Sequence, residues 1–354
     1  MYIKEWSYCV ISVVLIVLAL DVDRCSGVKW LALYRNRQKT WTNGKECRKS
    51  YGLSSQQIKL CQGHLDLMGT VAIASGKGID ACTRQFYDRR WNCSSLSQAP
   101  KLTKDLKRGT REQAFAYAMA SAALTHSIAR ACSVGITTKC SCGKLPSEAP
   151  TGDYKWGGCG DDVEFGLRFS ELFTDYHVDK TSKKKKTMMN SHNTAAGNKV
   201  VYDSLTTACK CHGVSGSCSI KTCWRSLADF DDIAETLKDK FGMAIEVKRK
   251  RKGEFHKFVP RYKKMDSIPM DELVYVSKSP DYCSPDRKLG SIGTKDRSCD
   301  PDSTGPGGCD IMCCGRGYES SDVTLVERCE CKYYWCCYVK CKTCSKTLRV
   351  HRCR

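Results

Sequence analysis

Apolar residues recur at three- and four-residue intervals through the N-terminal part of the chain. Leu60, Cys61, Leu65, Met68 and Ala72 fall on one helical face, and Ser54 with Gln57 ahead of them has the spacing of a capping box. The pattern repeats twice. Thr110 and Gln113 precede Phe115, Met119, Ala122 and Ala123, and Asp161 and Glu164 precede Leu167 and Phe173. A fourth helix is expected near Met188 to Thr207. A fifth should begin near Ser226, with Leu227, Phe230, Ile233, Leu237 and Phe241 on its inner face. These stripes read as core-facing helices. Two runs of like charge interrupt them, Lys183, Lys184, Lys185, Lys186 and Lys248, Arg249, Lys250, Arg251, Lys252, and both are expected in exposed loops because like charges repel in a compact element. Residues 260–282 read as a linker. Beyond it, turn signals such as Pro306-Gly307-Gly308 and Gly315-Arg316-Gly317 predict short β-hairpins and loops.

The first residues carry a different pattern. Lys4 precedes Val10–Leu20, an apolar run of 11 residues. A membrane-spanning helix needs about 20, so the run reads as a secretory leader, residues 1–27, cut after the small residues of Cys25-Ser26-Gly27. The other reading is a buried N-terminal core helix. Cysteine content supports export. Of 26 cysteines, Cys9 and Cys25 leave with the leader, and the 24 that remain allow a disulfide framework in an oxidising compartment. A zinc protein is the competing reading, but metal ligands are usually spaced C-x₂₋₄-C. Here C-x-C and C-C spacings dominate, and the one C-x-x-C is Cys341/Cys344. Half of the 24 lie in residues 28–282 and half in the much shorter 283–354, so the second region has to rely on staples in place of a core. The chain carries +20, and +21 without its leader. For an exported protein this points away from nucleic acid and toward sulfated glycans and anionic membrane surfaces.

The densest motif is Cys209 to Trp224, CKCHGVSGSCSIKTCW. If Cys209 pairs with Cys223 and Cys211 with Cys218, two nested staples close a hairpin, closure of a loop of this length contributing about 3 kcal/mol less any strain, and its small-residue tip Gly213–Ser217 presents a Ser hydroxyl with little cover. This motif resembles the lipid-acceptor hairpin of the Wnt family of secreted, acylated growth factors. Further resemblances follow in order: Arg90-Trp91-Asn92-Cys93, Gly109-Thr110-Arg111-Glu112, Cys140-Ser141-Cys142-Gly143, Trp156-Gly157-Gly158-Cys159, Cys309 to Gly317 (CDIMCCGRG) and Cys331 to Cys344 (CKYYWCCYVKCKTC). The opening Lys29-Trp30-Leu31-Ala32-Leu33 is most similar to the subfamily numbered eleven. Val214 stands where many members have Leu, and the four-lysine run matches no family motif.

The resemblance implies an α+β, disulfide-rich fold: a helical N-terminal domain, residues 28–259, with a protruding lipidated hairpin or thumb at about 205–225, and a cysteine-rich C-terminal domain, 283–354, whose hairpin is an index finger. It implies a non-enzymatic morphogen that grips the cysteine-rich domain of a Frizzled receptor, with co-receptors, an acyltransferase and a lipid carrier as further partners. The subfamily resemblance points to β-catenin-independent, cell-polarity output. Ser215 matches the position that carries a palmitoleoyl group. An acyl chain buries at about 0.8 kcal/mol per methylene, on the order of 10 kcal/mol in all. Val214 and the finger residues Tyr333, Tyr334, Trp335, Cys336, Cys337, Tyr338 and Val339 are the other expected receptor contacts; exposed aromatics of this kind are binding hot spots.

The family's disulfides map onto Cys82 with Cys93, Cys132 with Cys140, Cys142 with Cys159, Cys283 with Cys314, Cys299 with Cys309, Cys313 with Cys353, Cys329 with Cys344, Cys331 with Cys341 and the adjacent Cys336 with Cys337, leaving Cys47 with Cys61. Asn92-Cys93-Ser94 is a glycosylation sequon. No cofactor or metal is expected. The two basic runs are candidate contacts for heparan sulfate in the extracellular matrix and at cell surfaces.

A secreted serine esterase is the rival class. Its G-x-S-x-G elbow is only partly met by Gly213-Val214-Ser215-Gly216-Ser217, which lacks the last Gly. A structural matrix protein would need repeats, and the sequence has none.

Overall fold

The computed structural model describes residues 27–150, 152–174, 184–252, 255–262 and 267–354. Lys183 and all of the leader but Gly27 lie outside them. The chain divides into two units, residues 86–94 with 281–354 and the remainder up to residue 280. The α+β, disulfide-rich class is the one observed.

Among the described residues six α-helices build the first unit: α1 (Ser55–Gly63), α2 (Leu65–Gln85), α3 (Arg111–Ser133), α4 (Val163–Phe173), α5 (Lys185–Asp203) and α6 (Phe230–Met243). α3 is their axis, and its alanines and the aromatic rings between them are buried along almost its whole length. Alanine is the best helix former and keeps the backbone approachable. The packed neighbours α4 and α5 meet this with glycine. A Cβ on Gly166 would stand 2.6 Å from the Thr125 carbonyl oxygen, and one on Gly197 would be nearer still to that of Ala118.

Two small sheets join the helices. β1 (Lys155–Trp156), β2 (Leu205–Cys211) and β3 (Lys221–Leu227) form one, in the order β1-β3-β2. β4 (Ile245–Lys252), β5 (Phe255–Pro260) and β6 (Val274–Tyr275) form the other, in the order β5-β4-β6.

The helix starts follow the capping chemistry with instructive shifts. Ser54 and Gln57 close a full capping box, but the helix breaks at His64 after Gly63, so one expected helix is two. Thr110 accepts the Gln113 N–H at 3.2 Å. Gln113 does not close that box: its Oε1 takes the Gly109 N–H at 2.7 Å and its Nε2 reaches Asn190 on α5. Asp162, not Asp161, caps α4. α5 ends four residues early because Leu205 onward pairs as a strand, and α6 starts at Phe230 because Ser226 and Leu227 belong to β3.

Two expectations are corrected. The KRKRK run is not a loop; it is β4, paired antiparallel with β5. Alternation places Lys248 and Lys250 on one face and Arg249 and Arg251 on the other, which relieves the repulsion. Buried Ile245 and Val247 anchor the strand beside Met189 and Val274. Nor is 260–282 only a linker. Leu273 and Val274 are fully buried, and Asn193 of α5 brackets Val274, accepting its N–H and donating to its carbonyl, both at 2.9 Å.

The second unit buries few large hydrocarbon side chains: Phe86 and Trp91, edge to face at 5.0 Å, and Tyr282. Sulfur dominates its other buried cluster, Cys309, Met312, Cys313 and Cys353 with Cys299 against it. Around it lie β7 (Pro285–Asp286), β8 (Ser291–Ile292), β9 (Ser298–Cys299) and the single turn α7 (Cys309–Met312). The Arg297 guanidinium binds segment 86–94 by donating to the carbonyls of Tyr87, Arg89 and Arg90 at 2.6–3.0 Å. In place of several short hairpins, one long hairpin dominates: β10 (Tyr318–Tyr334) against β11 (Tyr338–Cys353).

His126 of α3 is wholly buried. Its Nε2–H donates to the Ala228 carbonyl at 3.1 Å, its Nδ1 faces the Lys77 ammonium at 3.2 Å, and both groups lie against the Phe230 ring. Burial, then the Lys77 charge, pushes its pKa from 6.5 down to about 4. The imidazole is therefore neutral in the fold and takes up a proton in the unfolded chain. Stability should be level above pH 6.5, fall as pH drops from 6.5 to 4, and be level again below. The loss from this group is about 3 kcal/mol. Denaturant midpoints across that range should fall less steeply for His126→Gln than for wild type. His192, also pushed down by burial, contributes in both proteins; equal slopes would refute the assignment.

Candidate functional site

β2 and β3 form an antiparallel ladder from Leu205↔Leu227 to Cys211↔Lys221. A cystine joins Cys209 to Cys223 directly across it, and a second joins Cys211 to Cys218 beyond its end. The base of the hairpin is tied to the helices. The Asp161 carboxylate accepts the Leu227 N–H and the Ser133 hydroxyl, both at 2.8 Å, and the Ala228 N–H donates to Ser204. Cystines Cys132–Cys140 and Cys142–Cys159 brace the segment that carries β1.

The tip is a network of main-chain bonds: His212 N–H to Ile220, Gly213 N–H to Ser217, Gly216 N–H to Gly213 and Ser217 N–H to Val214, at 2.7–3.1 Å. These bonds impose φ 56° on Ser215, the left-handed region that glycine normally takes. Ser215 is exposed and its hydroxyl bonds to no described residue, whereas Ser217 Oγ lies 3.1 Å from Ser219 Oγ. Val214 beside it is 90% exposed and Ile220 67%. The apolar exposure of Ile220 could have been noticed in the sequence, as an unpaired aliphatic residue within a loop of small ones.

The second tip crowns β10–β11. Trp335 is 92% exposed, Tyr333, Tyr338 and Val339 are exposed, and the Tyr334 and Tyr338 rings stack at 5.1 Å. Cystines Cys329–Cys344 and Cys331–Cys341 staple the shaft near a bulge at Glu330, and Cys283–Cys314, Cys299–Cys309 and Cys313–Cys353 hold the base. Elsewhere Cys47 joins Cys61, and Cys82 and Cys93 are disulfide-bonded.

One expected bond is absent. Cys336 and Cys337 are free thiols, with their sulfurs 2.8 Å apart against about 2.05 Å in a disulfide. The two residues form the turn, with φ of 60° and 102°.

The geometry bears on the rival readings. Cys341 and Cys344 belong to different cystines, so the one C-x-x-C offers no thiolate pair. Ser215 lies in a turn between two strands, not between strand and helix, and no described histidine bonds its hydroxyl, so an esterase elbow is not formed. Asn92 is half-buried and its Oδ1 accepts the Ser94 N–H at 3.3 Å. Lys184 precedes α5 and Lys185 and Lys186 begin it, distant in sequence from the basic β4.

Comparison with known proteins places this architecture. The family model described as the wnt family matches residues 49–354. The chain belongs to the Wnt family. It is 47% identical to protein Wnt-11b-2 of Xenopus tropicalis over 335 residues, covering 93% of this chain and 95% of that one. It is 44% identical to Wnt-11 of Gallus gallus over 340 residues, covering 95% and 96%. Among solved structures it is similar to the complex of human WLS with WNT8A, at 34% identity and a TM-score of 0.58, covering 83% of this chain and 96% of that one. The chain is thus a secreted Wnt signalling ligand of the Wnt-11 type. Among the described residues no helix is long and apolar enough to cross a membrane.

Proposed function

We propose that this Wnt ligand grips the cysteine-rich domain of a Frizzled receptor with two tips: an acyl chain on Ser215 at the thumb and the aromatic cluster around Trp335 at the finger. The observation that carries this reading is the thumb tip itself. Ser215 is held in a left-handed turn by main-chain bonds and two cystines, with a free, exposed hydroxyl and apolar Val214 at its side. An acyltransferase can approach such a residue without unfolding the hairpin. Palmitoleate is the expected chain, added during secretion, and a carrier of the WLS kind shields it in transit. Asn92 is the expected glycan site. The output is β-catenin-independent polarity signalling, with co-receptors completing the complex.

Ser215→Ala should abolish labelling by an alkynyl fatty acid, and Ser217→Ala should leave it intact. Undiminished labelling of Ser215→Ala would end the assignment.

At the finger, an exposed Trp behaves as a hot-spot anchor. Trp335→Ala should weaken binding to the receptor domain by about 2 kcal/mol, roughly thirtyfold, with acylation unchanged. A folded variant of unaltered affinity would remove the finger from the interface.

The exposed cations of β4 favour a second contact, heparan sulfate, for which Lys183–Lys186 is the other candidate segment. Lys184, Lys185 and Lys186 crowd the positive end of α5, where cations oppose the helix dipole, a cost that a bound polyanion offsets. On a heparin column, variants with Lys183–Lys186 or Lys248–Lys252 changed to Ser should elute at lower salt than wild type, following the salt dependence of polyelectrolyte binding. Elution of both at the wild-type position would place the basic surface elsewhere.

A further inference from the structure

The nine residues 212–220 that cap the thumb contain no Asp, Glu, Lys or Arg, and Val214 and Ile220 in them are exposed. Immediately behind the cap the chemistry changes. Register aligns Lys155 of β1 with Thr222 of β3, and Thr222 with Lys210 of β2, so two lysines flank one threonine on a single face of the sheet. Lys221, next in the chain, lies on the opposite face. Three cations therefore encircle the sheet at one level, just below the apolar cap. On the Lys221 face, Tyr154 and Trp156 stand edge to face at 5.1 Å, with Lys221 over the first ring and Arg225 over the second. Residues 204–228 include no acidic residue; Asp203 and Asp229 flank them, Asp161 meets the hairpin at its root, and Glu148 and Asp153 precede β1.

We propose that the thumb is a membrane-surface wedge, whose lysine collar docks on anionic phospholipid headgroups while its apolar cap and acyl chain enter the hydrocarbon layer. The hairpin carries the layers of a bilayer interface: an apolar tip, and behind it cations together with Tyr and Trp at headgroup depth. Charge complementarity selects the lipid, and the uncharged cap separates it from a sulfated glycan, which has no apolar layer to receive Val214 and Ile220. The collar also meets a physical need. A single acyl chain holds a protein to a bilayer only marginally, and stable attachment takes a second signal such as a basic patch. Each cation near an anionic surface adds about fivefold in affinity.

The proposal rests on Ser215 as the acyl acceptor, so the test separates the two. Full-length acylated protein is sedimented with vesicles of phosphatidylcholine alone or of phosphatidylcholine with phosphatidylserine. Wild type should bind the anionic vesicles at least tenfold more tightly than the neutral ones. The variant Lys155→Gln, Lys210→Gln, Lys221→Gln should lose about a hundredfold on anionic vesicles, by the per-cation factor, and nothing on neutral ones. The corresponding Lys→Arg variant should retain the preference, and fatty-acid labelling of each variant confirms that acylation is intact. Ser215→Ala should weaken binding to both vesicles and preserve their ratio. If Ser215→Ala binds neutral vesicles like wild type, the acyl reading fails while the collar is still judged by the ratio. Two results overturn the collar: a wild type that does not distinguish the vesicles, or a Gln variant that keeps the full preference.

Discussion

Cross-strand cystines are the constraint on which this molecule depends. Both hairpin tips proposed to grip the receptor are apolar groups held in water, where burial cannot stabilise them. An isolated two-stranded hairpin is marginal at best. Cys209–Cys223 and Cys211–Cys218 in the thumb, and Cys329–Cys344 and Cys331–Cys341 in the finger, replace the missing core by restricting the unfolded chain. The second unit extends the principle to its base, where sulfur supplies most of the buried cluster. A unit built this way can leave nearly every side chain of a long hairpin exposed, which an ordinary sheet could not do.

The first unit solves the complementary problem of giving the thumb a rigid mount. The alanine-rich α3 lets glycines of α4 and α5 reach its backbone, so the bundle is tight where the hairpin departs. Asp161 then transmits that rigidity. Its carboxylate joins Ser133 at the end of α3 to Leu227 at the end of β3, and His126, from the middle of the same helix, holds the next carbonyl at Ala228. The thumb is therefore anchored by buried polar contacts at its root and by disulfides along its length, with no packing needed at its tip.

Much of this was legible in residue order, and the failures share a cause. The Ser54–Gln57 box and the stripes of α3 and α6 are local, and local chemistry decided them. Asp161 and Asp162 are chemically equivalent in sequence. Only the approach of β3, whose partner strand lies in a distant segment, assigns one to the hairpin root and the other to the helix cap. The KRKRK strand was hidden for the same reason. Its charges argue for solvent, while the pairing with β5 and the burial of Ile245 and Val247 come from residues beyond the run. Val274 looked like linker because its partner, Asn193, is a polar residue in another helix. Ser215, in contrast to Ser217, is assigned by the resemblance of its contiguous, cysteine-flanked tip to the family's lipid-acceptor hairpin. Its left-handed turn is set by main-chain bonds that residue order does not show.

The finger tip turns on two adjacent cysteines. The chain reverses at Cys336 and Cys337 with positive φ at both residues. The stacked Tyr334 and Tyr338 rings close the strands just behind, so the tip keeps its shape through ring contact and through cystines further down the shaft. Trp335 is then presented by geometry fixed below it. That is the thumb's arrangement repeated in a second unit: an exposed apolar residue at a turn of positive φ, with the covalent staples placed behind the tip so that they leave it uncovered.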